Sequence, residues 1–308
     1  MHFEIALSNV LLTLFYIVPG YIICKMKKAS VDHLSTISSI LIYGCSPCLV
    51  ISSFLKLDFS VSDLYKMGWF FLLTLILQAA FMGVLFLLFR RRFSDSKYRM
   101  LTIASVLGNV GFFGLPIVKA LVPGHPEVMC YSIVTVISMN LLVFSVGVFC
   151  LTQRKEFMTI RAAVFNPTVF GLVVAFPLYL IGAKNFLPTV LLNGLDLLGT
   201  MTTPLCMLIL GVRLATVPFK KLFARPLIYL ICLCKLVLFP LFSYAAVYFL
   251  PFDPAFKASI LILCATPCAS IILNLAEMHK SETELAANCV LVTTLLCFLT
   301  IPVLTLLL

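Results

Sequence analysis

Apolar runs long enough to cross a bilayer follow one another along the whole chain, each closed by charged or turn-forming residues. About 20 apolar residues in a helix span roughly 30 Å of hydrocarbon. On that rule the pattern predicts helices near 5–24, 34–55, 64–89, 99–121, 128–151, 163–182, 188–212, 223–249, 256–277 and 283–307. The longest polar interruption is only 90–99, so there is no room for a soluble domain. The first run follows Glu4, is too long for a signal peptide and lacks a small-residue cleavage site, so it reads as the first spanning helix. The expected fold is an all-α polytopic membrane protein with ten transmembrane helices.

Charge gives an independent check on that count, because short cytoplasmic loops are enriched in Lys and Arg. Of the 22 basic residues, sixteen fall after the first, third, fifth, seventh and ninth segments: Lys25, Lys27, Lys28; Arg90, Arg91, Arg92, Lys97, Arg99; Arg154, Lys155, Arg161; Arg213, Lys220, Lys221, Arg225; and Lys280. The other face holds Lys56, Lys66, Lys119, Lys184 and Lys257, and Lys235 stays inside the eighth segment. One missed or invented helix would scramble this alternation. Both termini are therefore expected on the extracytoplasmic side of the cell membrane.

Composition fits the same class. The chain is 62% hydrophobic and 11% charged, far from soluble usage. The net charge of +10 sits in short loop clusters rather than on a helix face, which argues against nucleic acid as a partner. The twelve cysteines lie almost wholly within apolar runs and read as small packing residues, not as disulfides or metal ligands. Neither a metalloprotease motif nor a cluster of acids for Mg²⁺ is present, so no enzyme and no cofactor is expected.

Landmarks recur between the halves. Ser46-Pro47 in the second segment answers Thr203-Pro204 in the seventh, Pro116 in the fourth answers Pro267 in the ninth, and Asn140 in the fifth answers Asn288 in the tenth. Five segments per copy is an odd number, so the second copy enters from the opposite side. The expected organisation is two inverted five-helix repeats, 1–155 and 156–308.

The fourth segment carries Gly108-Asn109-Val110-Gly111-Phe112-Phe113-Gly114-Leu115-Pro116. Each Gly costs a helix about 1 kcal/mol relative to Ala, and Pro about 3 kcal/mol, so an unwound centre is expected there. Broken backbone inside a membrane must be buried in protein or line a wet cavity. The ninth segment offers Ala265-Thr266-Pro267-Cys268-Ala269-Ser270 and then Asn274. A plain proline kink with small residues for packing is the competing reading of both. If both break, their positive helix N-termini suit an anion, and Asn109, Asn140, Asn274, Ser270 and Asn288 can orient it. Lys235 is the charge placed deep within a span and is a functional candidate on that ground. Snorkelling to the interface is the alternative.

The segment Asn109-x-Gly111-x-x-Gly114-Leu115-Pro116, Asn166-Pro167, Pro204 with Gly211, and the run from Ala265-Thr266-Pro267 through Ala276-Glu277 to Thr300-Ile301-Pro302 together resemble the auxin efflux carrier family. The likeness is to the bacterial branch described as malate and malonate permeases. That resemblance implies helices 4 and 9 crossing at Pro116 and Pro267 beside the substrate site. It also implies a scaffold of helices 1, 2, 6 and 7 through which two copies dimerise, and a transport unit of helices 3–5 and 8–10. The long hydrophilic loop of plant auxin carriers is absent here, where only about 152–162 joins the halves. The expected activity is carrier transport of a small organic anion, a carboxylate above all. A channel, or a carrier of a neutral or cationic solute on the same scaffold, is the alternative.

Overall fold

The computed structural model describes residues 2–158 and 165–308, so Arg161 and the start of the predicted segment 163–182 lie outside the described residues. Among the described residues the chain is helical and contains no strand. Seven helices among the described residues are long and apolar enough to cross a membrane: α1 (His2–Lys25), α2 (Val31–Leu55), α3 (Val61–Arg92), α6 (Val128–Thr152), α8 (Thr189–Thr216), α9 (Pro226–Tyr248) and α12 (Thr283–Leu307). Among the described residues the main shorter helices are α4 (Ser96–Ala104), α5 (Val110–Leu121), α7 (Pro167–Leu180), α10 (Pro254–Cys264) and α11 (Ser270–Met278), apart from single turns in the connections. The fourth predicted segment is thus α4 plus α5, and the ninth is α10 plus α11. Both are interrupted.

Several helices begin where a polar side chain satisfies the free amides of the first turn. Ser60 accepts from the Asp63 amide ahead of α3, Asp95 from Lys97 ahead of α4, and Asp253 from Phe256 ahead of α10. Asn166 accepts from the amides of both Thr168 and Val169 and is followed by Pro167, whose missing N–H costs nothing at that position. The apolar exterior of such a bundle faces lipid; Phe170, Val190 and Leu197 are exposed on α7 and α8.

Close backbone approach locks α1 to α8. A Cβ on Gly211 of α8 would sit 2.1 Å from the Ile17 carbonyl oxygen of α1, so only Gly fits. Two groups of ion pairs then tie the helix ends. Lys56 pairs with Asp196, Lys184 with Asp58 and Lys66 with Asp253. Arg213 pairs with Glu277, and Arg225 with both Glu282 and Glu284. Asp196 and Arg213 stand near opposite ends of α8, roughly 25 Å apart at 1.5 Å per residue, so the two groups mark the two faces of the bundle.

Candidate functional site

The two interruptions meet. Residues 105–109 and 265–269 leave the helix and lie antiparallel across one another, paired at Gly108 and Cys268. The Asn109 amide donates to the Pro267 carbonyl at 2.7 Å, and the Ala269 amide donates to the Leu107 carbonyl at 3.0 Å. Four backbone groups that would be unsatisfied in hydrocarbon are thereby satisfied by one another. The crossing is further closed by Cys268, whose amide donates to Thr293 Oγ1 at 2.9 Å.

The crossing corrects the expected register. It falls at Gly108 and Cys268, not at a pair of prolines: Pro267 lies in the crossing strip, whereas Pro116 sits in the first turn of the regular helix that completes α5. There Pro116 cannot supply an N–H to the Phe112 carbonyl four residues back. Thr203 Oγ1 of α8 donates to that carbonyl instead, at 2.7 Å. Gly108 is required by close approach, because a Cβ there would come 2.3 Å from Thr266 Oγ1 and 2.9 Å from Lys235 Nζ. Gly114 has the same cause: a Cβ would meet Thr266 Cγ2 at 2.7 Å.

A cavity of about 490 Å³ opens beside the crossing. It is bordered by the first residues of both downstream half-helices, Asn109-Val110-Gly111 of α5 and Ala269-Ser270-Ile271 of α11. Neither Asn109 nor Ala269 caps its helix with a side-chain bond, so the amide ends are left to the cavity. Asn140 of α6 and Asn274 of α11 add side-chain amides. The wall is otherwise mostly apolar, as ligand cavities usually are.

Five of the ten residues singled out in the sequence come together here: Asn109, Gly111, Asn140, Ser270 and Asn274. Gly114, Pro116, Pro267, Asn288 and Lys235 do not line the cavity. Asn288 is buried and donates to the Lys221 carbonyl at 3.2 Å, which ties α12 to the segment before α9. Lys235 is fully buried behind Gly108.

Arg213 is the residue that sequence reading missed. It is the one charged side chain among the described residues of the cavity wall, and its guanidinium pairs with Glu277 Oε1 at 2.8 Å. Its position at the end of the predicted segment 188–212 makes it look like a loop charge. The signal that finds it is spacing, since Cys206, Ile209, Leu210 and Arg213 recur at i, i+3, i+4 and i+7 and share one face of α8.

Crossed broken helices flanking a cavity inside a lipid-facing bundle define a membrane transport protein, and a comparison of sequences agrees. The family described as Membrane transport protein matches residues 5–305, so the chain belongs to that family, the auxin efflux carriers. It is a multi-pass transporter and not an enzyme. An uncharacterized transporter of Methanocaldococcus jannaschii is 24% identical over 297 residues, covering 94% of each chain. An uncharacterized transporter of Methanothermobacter thermautotrophicus is 25% identical over 302 residues, covering 96% of each.

Proposed function

We propose that this protein is a carrier that moves a small organic carboxylate by alternating access. The observation that carries the reading is the wall of the cavity: two helix N-termini, four asparagine side chains of which Asn166 is engaged as a helix cap, and Arg213, with no carboxylate among the described lining residues. Each helix end contributes about half a positive charge, and a guanidinium matches a carboxylate in planar two-point geometry. The malate and malonate branch of the family is consistent with that wall.

On this reading the chain spans the membrane ten times as two inverted repeats, 1–155 and 156–308, with α4 plus α5 and α10 plus α11 as the fourth and ninth spans. Two facts support it. The local order helix, five-residue strip, helix is the same at 105–109 and 265–269, and the ion pairs between loops join segments that the alternation puts on one face. Both termini are extracytoplasmic in the cell membrane, and the cavity, bordered by Arg213 and the exposed Met278, faces the cytoplasm. Helices α1, α2, α7 and α8 form the scaffold and the surface of a homodimer, while the remaining helices move as the transport unit.

The test is counterflow in liposomes preloaded with one small carboxylate, with malonate and malate in the first panel. A carrier accumulates labelled substrate transiently against its gradient and saturates. Flux that rises linearly with concentration and shows no counterflow contradicts a carrier.

A further inference from the structure

Lys235 belongs to neither the cavity nor any ion pair formed among the described residues, yet it is fully buried. Its Nζ donates to the carbonyl oxygens of Val106 at 2.9 Å and Cys264 at 3.0 Å. Cys264 is the last residue of α10, and Val106 lies two residues beyond the end of α4. One side chain therefore holds the C-terminal ends of both half-helices that run into the crossing.

The last carbonyls of a helix have no intrahelical partner, and each C-terminal end carries about half a negative charge. Two such ends facing one point amount to about one negative charge buried in the bundle, and one ammonium balances it. The face of the Phe239 ring, centred 5.0 Å from Nζ, completes an electron-rich surround. The chain provides for this placement. Lys235 sits in a widened turn of α9 over Cys234–Leu238, and Gly108 lacks the Cβ that would strike Nζ.

Carbonyls at the ends of broken half-helices are the ligands that alkali cations take in transporters of this architecture. We propose that Lys235 is a tethered cation: its ammonium fills the place between the two half-helix C-termini that a dissociable Na⁺ would otherwise occupy. The ammonium then balances the crossing without a bound metal ion, and no co-transported alkali cation binds there. The proposal rests on the crossing, not on which solute is carried.

The experiment measures thermal unfolding of the purified protein in choline chloride, sodium chloride and methylammonium chloride at equal ionic strength. The wild type should unfold at the same temperature in all three. Lys235→Ala should unfold earlier in choline, and Na⁺ or methylammonium should raise its unfolding temperature with a saturating dependence. Lys235→Met, which refills the space without the charge, should remain insensitive to both cations. A folded Lys235→Ala that ignores both cations overturns the proposal. So does saturable stabilisation of the wild type by Na⁺ over choline, and that arm decides the matter even if Lys235→Ala does not fold. Because no transported solute enters the assay, its outcome is separate from the carboxylate reading.

Discussion

The Asn109 amide and the Pro267 carbonyl, 2.7 Å apart, join two chain segments that lie 158 residues apart in sequence. Together with the reciprocal bond from Ala269 to Leu107, they hold two helix N-termini against one cavity and two helix C-termini against Lys235. The crossing thus sorts helix dipoles by sign, with positive ends toward the cavity and negative ends toward a fixed ammonium.

Packing at that crossing leaves no space for a methyl group. Gly108→Ala places a carbon against Thr266 and Lys235, and overpacking of this kind costs about 1–3 kcal/mol. Gly83→Ala in α3 meets nothing within 4 Å and should be neutral or slightly stabilising. Melting curves of the two variants in the same detergent check the difference; equal melting temperatures would show that the crossing tolerates a side chain.

Thr203→Val removes the donor to the Phe112 carbonyl at unchanged volume. A fully buried acceptor left unpaired costs about 1–3 kcal/mol; this one is part-buried beside the cavity, so the variant should melt earlier than wild type by an amount at the low end of that range. Thr216→Val, whose hydroxyl bonds within its own exposed helix end, should not.

Much of this was legible in the chain. Among the described residues, the hydrophobic runs gave the positions of the long apolar helices within a few residues, because a segment exposed to lipid must satisfy its backbone polar groups internally. The two breaks were also legible, from the glycine and proline content of 108–116 and from Pro267. Their register was not, since it depends on which backbone amides meet across 158 residues, and Gly108 rather than Pro116 is the point of contact. The roles of Lys235 and Arg213 were hidden for a related reason. Depth along a span separates Lys235 from Arg213 in sequence but does not show what either side chain meets: Lys235 holds two carbonyls, and Arg213 lines the cavity.

Topology is checked with accessible tags. Single cysteines at Asp95 and Glu156, in an otherwise functional background, should be labelled from the cytoplasm, and one at Lys184 from outside. Opposite labelling of Asp95 and Glu156 would remove both the ten-span count and the inverted repeat.

Arg213 and Glu277 separate affinity from architecture. Losing a hydrogen bond to a charged ligand costs about 1.5–3 kcal/mol, so Arg213→Gln should weaken carboxylate binding by roughly 10- to 150-fold. Glu277→Gln frees the guanidinium from its 2.8 Å partner and should bind carboxylate as tightly as wild type or more so. Calorimetry on both variants at fixed pH and salt reads this directly; weaker binding in Glu277→Gln with none lost in Arg213→Gln would place the anion elsewhere.

The central claim is that the cavity selects negative charge at the crossing. Its most direct test compares binding of a small carboxylate, malonate first and then a panel of mono- and dicarboxylates, with binding of the corresponding neutral amide, in wild type and Asn109→Ala. The account predicts that the acid binds and the amide does not, and that Asn109→Ala weakens the acid by roughly 10- to 150-fold. Equal affinity for acid and amide across the panel, or acid binding unchanged in Asn109→Ala, would contradict it.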